Sequence, residues 1–319
     1  METAKLQETH QHVLSKTGPL MALATLCTLL WGSAPSGIKL GYQFFQIDAA
    51  DTMTILLFAG IRFMFAGILV IIAYSIINRK VITPKRTSAT GIICLALSQT
   101  ALQYLLYYIG TAHATGVKVS ILSGSSTFFC VFVASLIFRQ EKLTVNKVTG
   151  CILGLAGIIL INLHGSSETL SLEMSFLGEG FILLSTIANS FSSAFIRHFS
   201  QKDDPVMLSG YQFTVGGLML IIVGLAGGGR LTHITPEGIA VLFYLCCVSA
   251  VAYTVWSMLL KHNPVSRVTI YNFLMPIFGV ILSTILLGEK GVFNMYTLAS
   301  LALVCGGICL VNFVKSNRK

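Results

Sequence analysis

Charged side chains are scarce in this sequence: Asp, Glu, Lys and Arg make up 10% of its 319 residues, against roughly 25% in an ordinary water-soluble domain. Set against 54% hydrophobic residues, so few charges exclude a soluble fold and a disordered chain. The 12 acidic residues are outnumbered by 21 Lys and Arg, for a net charge of +9. That excess first suggests a nucleic-acid partner, but it belongs to the connections between apolar runs, and no nucleic acid is expected. No Asp or Glu is expected inside a membrane span, which disfavours proton coupling through a carboxylate relay and makes facilitated diffusion or exchange at least as good a reading. There is no His-Glu-x-x-His pair, no cluster of metal ligands, no phosphate-cradling glycine loop and no Ser-His-Asp set at one depth. Neither a metal nor a cofactor is expected, and the chain does not read as an enzyme. The eight cysteines all fall in apolar runs and read as reduced packing residues. The polar stretch up to Thr17 has no cleavage site after the apolar run that follows it, so no cleaved signal is expected. His10 and His12 within it lack a third ligand and read as solvated.

What the chain has in abundance is apolar length. Runs at 19–40, 53–77, 90–110, 114–138, 145–163, 176–197, 207–227, 237–260, 265–287 and 294–314 are each close to the 20 or so residues a spanning helix needs. Lipid offers no partner to an open backbone, so these runs predict an all-α polytopic bundle of ten transmembrane helices. With the N-terminal tail placed in the cytoplasm, only Lys118, Arg230 and Lys290 fall on the opposite side, while Lys39 and Arg62 fall within spans and every other basic residue stays with the tail. This asymmetry puts both termini in the cytoplasm.

The two halves also echo each other. VKVSIL from Val117 pairs with SRVTIY from Ser266, SLIFRQEK ending at Lys142 with STILLGEK ending at Lys290, and AGIILIN ending at Asn162 with GGICLVN ending at Asn312. Five helices per copy is an odd number, so the second copy enters the membrane from the opposite side, which predicts two inverted repeats. The organisation expected is a tail at 1–18, a first repeat at 19–163, an external linker at 164–175, a second repeat at 176–314 and a basic tail at 315–319.

These motifs, together with WGSAPSGIK from Trp31 to Lys39, the IRF around Arg62, FRQEKLT and LLGEK closing spans four and nine, the glycine-rich spans five and ten, and FLMPIFG around Pro276, resemble the drug/metabolite transporter superfamily, in particular its EamA-type members. The resemblance covers nearly the whole chain from about Pro19 to Val314. It implies ten helices in two inverted EamA repeats, with export or exchange of small metabolites across a cytoplasmic (inner or plasma) membrane. The chain departs from the pattern at IANSFSSAF in span six, where the family often has Trp, and at Thr127, where it often has Pro.

Inverted repeats place a cavity near the bilayer midplane, and polar groups at that depth are the informative ones. Gln99, Gln103 and Tyr107 recur at i, i+4 and i+8 on one face of span three; they either read a polar ligand or bond neighbouring helices. Ser123 and Thr127 in span four, and Tyr271 and Asn272 before Pro276 in span nine, join them. Trp31, Asn189, Tyr253 and Trp256 add aromatic and amide surface, as packing or as ligand contacts. Pro35 and Pro276 interrupt spans one and nine and are hinges or static kinks. Arg62, near the middle of span two, must be compensated by carbonyls, Ser or Asn oxygens or a bound anion, and a structural role is the first reading. Lys39 and Lys118 sit near outer span ends and can snorkel to water. Lys118 aligns with Arg267 in the second copy, so a basic residue at each mouth is the competing idea. The expected function is transport of small, amphipathic metabolites such as amino acids by alternating access, with a small-molecule substrate and the lipid bilayer as partners. A membrane-embedded enzyme or a non-transporting scaffold is the alternative, and neither explains an inverted repeat.

Overall fold

The computed structural model describes residues 14–48, 50–113, 122–123, 125–165, 175–287 and 295–313. Most of the two terminal tails, residues 166–174 of the linker expected at 164–175, Lys118 and the Glu289-Lys290 motif lie outside the described residues. All regular structure among those described is helical. We number the helical segments α1 (Thr17–Phe45), α2 (Thr52–Ile77), α3 (86–113), α4 (Ser126–Ile137, with Leu122 and Ser123 helical ahead of it), α5 (Val145–Gly165), α6 (Phe176–Phe199), α7 (Pro205–Ala226), α8 (Pro236–His262), α9 (265–287) and α10 (Met295–Phe313). By length and composition α1, α2, α3, α6, α7 and α8 can each cross a membrane, and α4, α5 and α10 carry shorter apolar stretches. Phe243, Ile222 and Ile72, each more than half exposed, present apolar surface outward, as a bundle solvated by lipid requires.

Local chemistry sets the helix starts. The Asp51 carboxylate accepts from Thr54 N at 3.0 Å and caps α2. Asp204 accepts from Val206 N and Met207 N ahead of Pro205, and Thr235 accepts from Gly238 N ahead of Pro236. Each proline occupies a first-turn position whose missing N–H leaves no bond unmade. The first helix runs to Phe45, five residues beyond the expected end, and Gln46 closes it in a left-handed conformation, its N–H reaching back to Tyr42 and Gln43. The polar GYQFFQ stretch continues the helix because Phe45 packs on Phe58.

Five of the described segments depart from regular α geometry. π turns run over Ala96–Leu102, Val133–Ile137 and Phe176–Gly180, and Arg86–Ser88 and Ile270–Phe273 are 3-10 turns, the latter running directly into Leu274–Leu287. Pro276 has no N–H to give to the turn before it. The π turn at the start of α6 also corrects the expectation that no carboxylate enters a span. Glu179 is 4% exposed there and accepts from Ser175 N at 2.8 Å, as a helix N-terminus favours.

The principal pairings are α2 with α7, α5 with α10, α1 with α8 and α9, and α6 with α3 and α4. Small residues allow the closest of these. A Cβ on Gly60 would stand 2.7 Å from Ile221 N and 2.8 Å from the Gly217 carbonyl, so α2 and α7 meet backbone to backbone. Between α5 and α10, Gly150 meets the Gly307 carbonyl and Ser300 Oγ donates to the Gly157 carbonyl at 2.7 Å. Gly306, next to Gly307, faces open space.

Polar ties concentrate at the end of the bundle where α1 begins. Glu141 accepts from Ser266 N at 3.0 Å and from Ser266 Oγ at 2.8 Å, and pairs with Lys147 at 3.1 Å. Arg197 donates to the carbonyls of Leu260 and Asn263, and Asn263 Nδ2 donates to the Leu14 carbonyl. Ser88 donates to Asp203 and Tyr74 to Asp204, both at 2.7 Å. We call this the tied end.

Candidate functional site

A cavity of about 500 Å³ lies among α1, α2, α3, α4, α6, α8 and α9. Its lining includes Lys39 and Tyr42 near the end of α1, Ile55 in the first turn of α2 and Thr111 in the last turn of α3, all at the end opposite the ties. It descends past Arg62 to Ser193, Trp256 and Asn272 and stops short of the tied end.

Most of the expected site residues meet here. Trp31, Gln99, Gln103, Tyr107, Ser123, Asn189, Tyr253, Trp256 and Asn272 all line the cavity, as do Lys39 and Arg62. Thr127 does not: its hydroxyl donates to the Thr269 carbonyl at 3.1 Å and ties α4 to α9. Nor does Tyr271, 1% exposed in the apolar core; the 3-10 turn presents Asn272 to the cavity instead. Arg267 does not line the cavity. Its Nε reaches Asn312 Oδ1 at 3.3 Å and its Nη2 reaches Thr17 Oγ1 at 3.2 Å, which joins α9, α10 and α1 at the tied end. Lys118 lies outside the described residues. Pro35 and Pro276 sit within the helical backbone of α1 and α9, and their side chains lie outside the description.

One wall is aromatic. The Trp31 ring sits 4.8 Å from Tyr253 and 4.9 Å from Trp256, edge to face with the latter. Tyr104 and Tyr253 share a hydroxyl hydrogen bond of 2.7 Å. Tyr42, Tyr104 and Tyr108 also line the cavity and were not singled out from the sequence. The cue was the QYLLYY run: the π turn at Ala96–Leu102 precedes it, and both the Gln103/Tyr107 face and the adjoining Tyr104/Tyr108 face end up toward the space. The other wall carries amides and hydroxyls. Gln99 Oε1 accepts from Gln212 Nε2 at 3.0 Å, whereas Trp31 Nε1, Gln103 Oε1 and Asn272 Oδ1 are buried with no hydrogen-bond partner among the described residues.

Arg62 is 3% exposed. Its Nε donates to Ser249 Oγ at 3.1 Å, and its guanidinium carbon stands 5.1 Å from the Phe63 ring centre. Among the described residues neither Asp nor Glu lines the cavity, and an ion pair between Lys147 and Glu141 lies at the tied end. The cavity is therefore amphipathic, aromatic on one side, and positive.

The sequence profile of the EamA-like transporter family matches residues 18–163 and again 176–313. The chain belongs to the EamA-like transporter family. This EamA-like protein is a multi-pass membrane transporter, a member of the drug/metabolite transporter superfamily. It is 28% identical over 278 residues to an uncharacterized transporter of Archaeoglobus fulgidus, covering 86% of this chain and 91% of that protein. It is 29% identical over 261 residues to the uncharacterized transporter YvbV of Bacillus subtilis, covering 81% of this chain and 82% of that protein. A chloroplastic WAT1-related protein of Arabidopsis thaliana is 25% identical over 205 residues, covering 62% of this chain and 48% of that one. Among solved structures, one crystal structure aligns at a TM-score of 0.75 over 93% of this chain and 99% of its own, at 15% identity, which is a likeness of fold.

Proposed function

We propose that this EamA-like transporter exports or exchanges small amphipathic metabolites, amino acids among them, by alternating access around the cavity. The observation that carries this is the cavity itself, which joins aromatic rings, amides and basic groups at mid-depth and is sealed at one end by side-chain ties. Two inverted five-helix repeats, 19–163 and 176–314, account for the pairing pattern. Exchanging each segment for the one five places along turns α1 with α8 into α6 with α3, and α1 with α9 into α6 with α4, while α2 with α7 and α5 with α10 map onto themselves. Two such halves have two near-equivalent packings, and rocking between them exposes the cavity to each side in turn.

With both termini cytoplasmic, the tied end faces the cytoplasm and the cavity faces out. The residues assigned to the substrate are Trp31, Gln99, Gln103, Tyr107, Ser123, Asn189, Tyr253, Trp256 and Asn272. Counterflow of a radiolabelled metabolite panel in reconstituted vesicles tests the function. We expect exchange of at least one zwitterionic metabolite, abolished by Asn189→Trp, which fills the cavity; a folded protein that exchanges no member of the panel refutes the reading. For orientation, an impermeant thiol reagent applied from outside should label a cysteine placed at His233 and spare one at Lys202, and the reverse result inverts the assignment.

A further inference from the structure

We propose that Arg62 is the carboxylate-binding residue of the cavity and that the amide oxygens of Gln103 and Asn272 receive the substrate's N–H donors, so that the substrate is an amino carboxylate taken as the zwitterion. The assignment deepens the carrier reading above and rests on it. The guanidinium is nearly fully buried, yet among the described residues only its Nε is engaged, by the neutral Ser249 hydroxyl. Its charge reaches the hydroxyls of Tyr42, Tyr104, Tyr108 and Tyr253, which are dipoles and not counter-charges. A buried cation is tolerated when something neutralises it, and none of the described lining residues is acidic. A substrate carboxylate supplies the missing charge, and the guanidinium fork suits its two oxygens.

The opposite half shows that packing does not require this charge. Phe63 stacks on Phe213 with ring centres 5.4 Å apart, and the residues preceding them are Arg62 and Gln212. Gln212 makes its scaffold contacts as a neutral amide, bonded through both Oε1 and Nε2. Away from Arg62, Gln103 Oε1 and Asn272 Oδ1, which have no partner among the described residues, are acceptors on residues that line the same space. A guanidinium for one end of the ligand and bare acceptors for another describe a zwitterion, with the Trp31 and Trp256 rings against its apolar body. Lys39, exposed at the rim, draws anions inward.

The chain has two tryptophans, Trp31 and Trp256, and both line the cavity, so intrinsic fluorescence of the purified full-length protein reports occupancy without any transport step. The probes are leucine, leucinamide, which lacks the carboxylate, and 4-methylpentanoate, which lacks the amine. We expect saturable responses to leucine and, more weakly, to 4-methylpentanoate, with leucinamide at least tenfold weaker than leucine. Arg62→Gln should weaken both carboxylates by about 10-fold to 100-fold, the range for a hydrogen bond to a charged group. Arg62→Lys should retain the preference for leucine over leucinamide. In Gln103→Leu, leucine should lose its advantage over 4-methylpentanoate.

Equal affinity for leucine and leucinamide overturns the proposal, as does an Arg62→Gln titration superimposable on the wild type, or no response to any of the three probes. Equal losses for leucine and 4-methylpentanoate in Gln103→Leu overturn the amide assignment. Should Arg62→Gln fail to fold, the wild-type comparison of leucine with leucinamide still decides. The carrier reading fails on a different result, the absence of flux in vesicles, and a protein that moves neutral solutes while ignoring leucine would refute only the zwitterion site.

Discussion

Where α2 crosses α7, two residues stand beside the stacked rings of Phe63 and Phe213 and meet opposite fates. Gln212 is bound through both ends of its amide, accepting from Thr100 Oγ1 at 2.9 Å and donating to Gln99 Oε1 at 3.0 Å. Arg62 lines the cavity, and among the described residues only its Nε is bonded, to Ser249. The surrounding glycine contacts and the paired hydroxyls of Tyr104 and Tyr253 serve both halves alike. Scaffold and site thus differ here in how completely a polar side chain is satisfied, not in burial.

The most damaging change to this crossing should be Gly67→Leu. A Cβ on Gly67 would stand 2.5 Å from the Gly210 carbonyl and from Thr214 N, against backbone that cannot step aside. We expect a loss of about 4 kcal/mol or more, seen as failure to purify a monodisperse protein, while Gly306→Leu, directed into open space, purifies normally. A Gly67→Leu protein with the wild-type melting temperature would show that the crossing is looser than its geometry.

Next comes the exchange of fates. Gln212→Arg breaks two buried bonds and adds an unpaired cation, for a cost of about 3–5 kcal/mol, whereas Arg62→Gln forfeits one neutral-acceptor bond and relieves a buried charge, for about 1 kcal/mol or less. Thermal unfolding in detergent should rank Gln212→Arg well below Arg62→Gln. The reverse order would make Arg62 the structural residue.

Smaller still, Tyr104→Phe and Tyr253→Phe each remove the same shared bond and should cost about 1 kcal/mol apiece. The double variant should cost little more than either single one. Additive losses would mean that the two hydroxyls have separate partners.

The smallest effect lies at the rim of the open end. The hydroxyl and the N–H of Thr54 hold the Asp51 carboxyl below its ordinary value. A carboxyl whose folded value is depressed adds stability above the ordinary carboxylate range and loses it as pH falls through the depressed value. At neutral pH the cap on α2 is therefore intact, and mild fraying should appear only in strong acid. Amide protection in the first turn of α2, corrected for the intrinsic pH dependence of exchange, should fall there and stay constant with pH in Asp51→Asn. A pH-insensitive wild type would show that the cap acts as a hydrogen-bond acceptor alone.

Much of the framework was legible in the apolar runs, since a chain that cannot satisfy its backbone in lipid has few options, and Trp31, Gln103 and Asn189 could be chosen because lone polar groups at mid-span need a purpose. Geometry on the scale of a single turn was not legible. Tyr271 and Asn272 are neighbours in the sequence, and a 3-10 turn sends one into the core and the other into the cavity. Thr127 looked like cavity surface because the distance from its hydroxyl to the Thr269 carbonyl depends on how α4 meets α9. The partners of Arg267, Thr17 and Asn312, belong to helices far away in sequence, so its place in a three-helix tie could not be read from its repeat position. Glu179 was overlooked because apolar residues surround it in sequence, while its partner is a backbone N–H.

The connection between α8 and α9 is only Asn263 and Pro264. At no more than about 3.6 Å per residue, so short a tether keeps the end of α8 and the start of α9 within roughly 11 Å of each other in any conformation. Asn263 is further anchored through its side chain to the Leu14 carbonyl. The corner is thus a shared pivot: Trp256 lies six residues before the end of α8 and Asn272 seven after the start of α9, so however either helix tilts, both cavity residues stay within a short arm of one point.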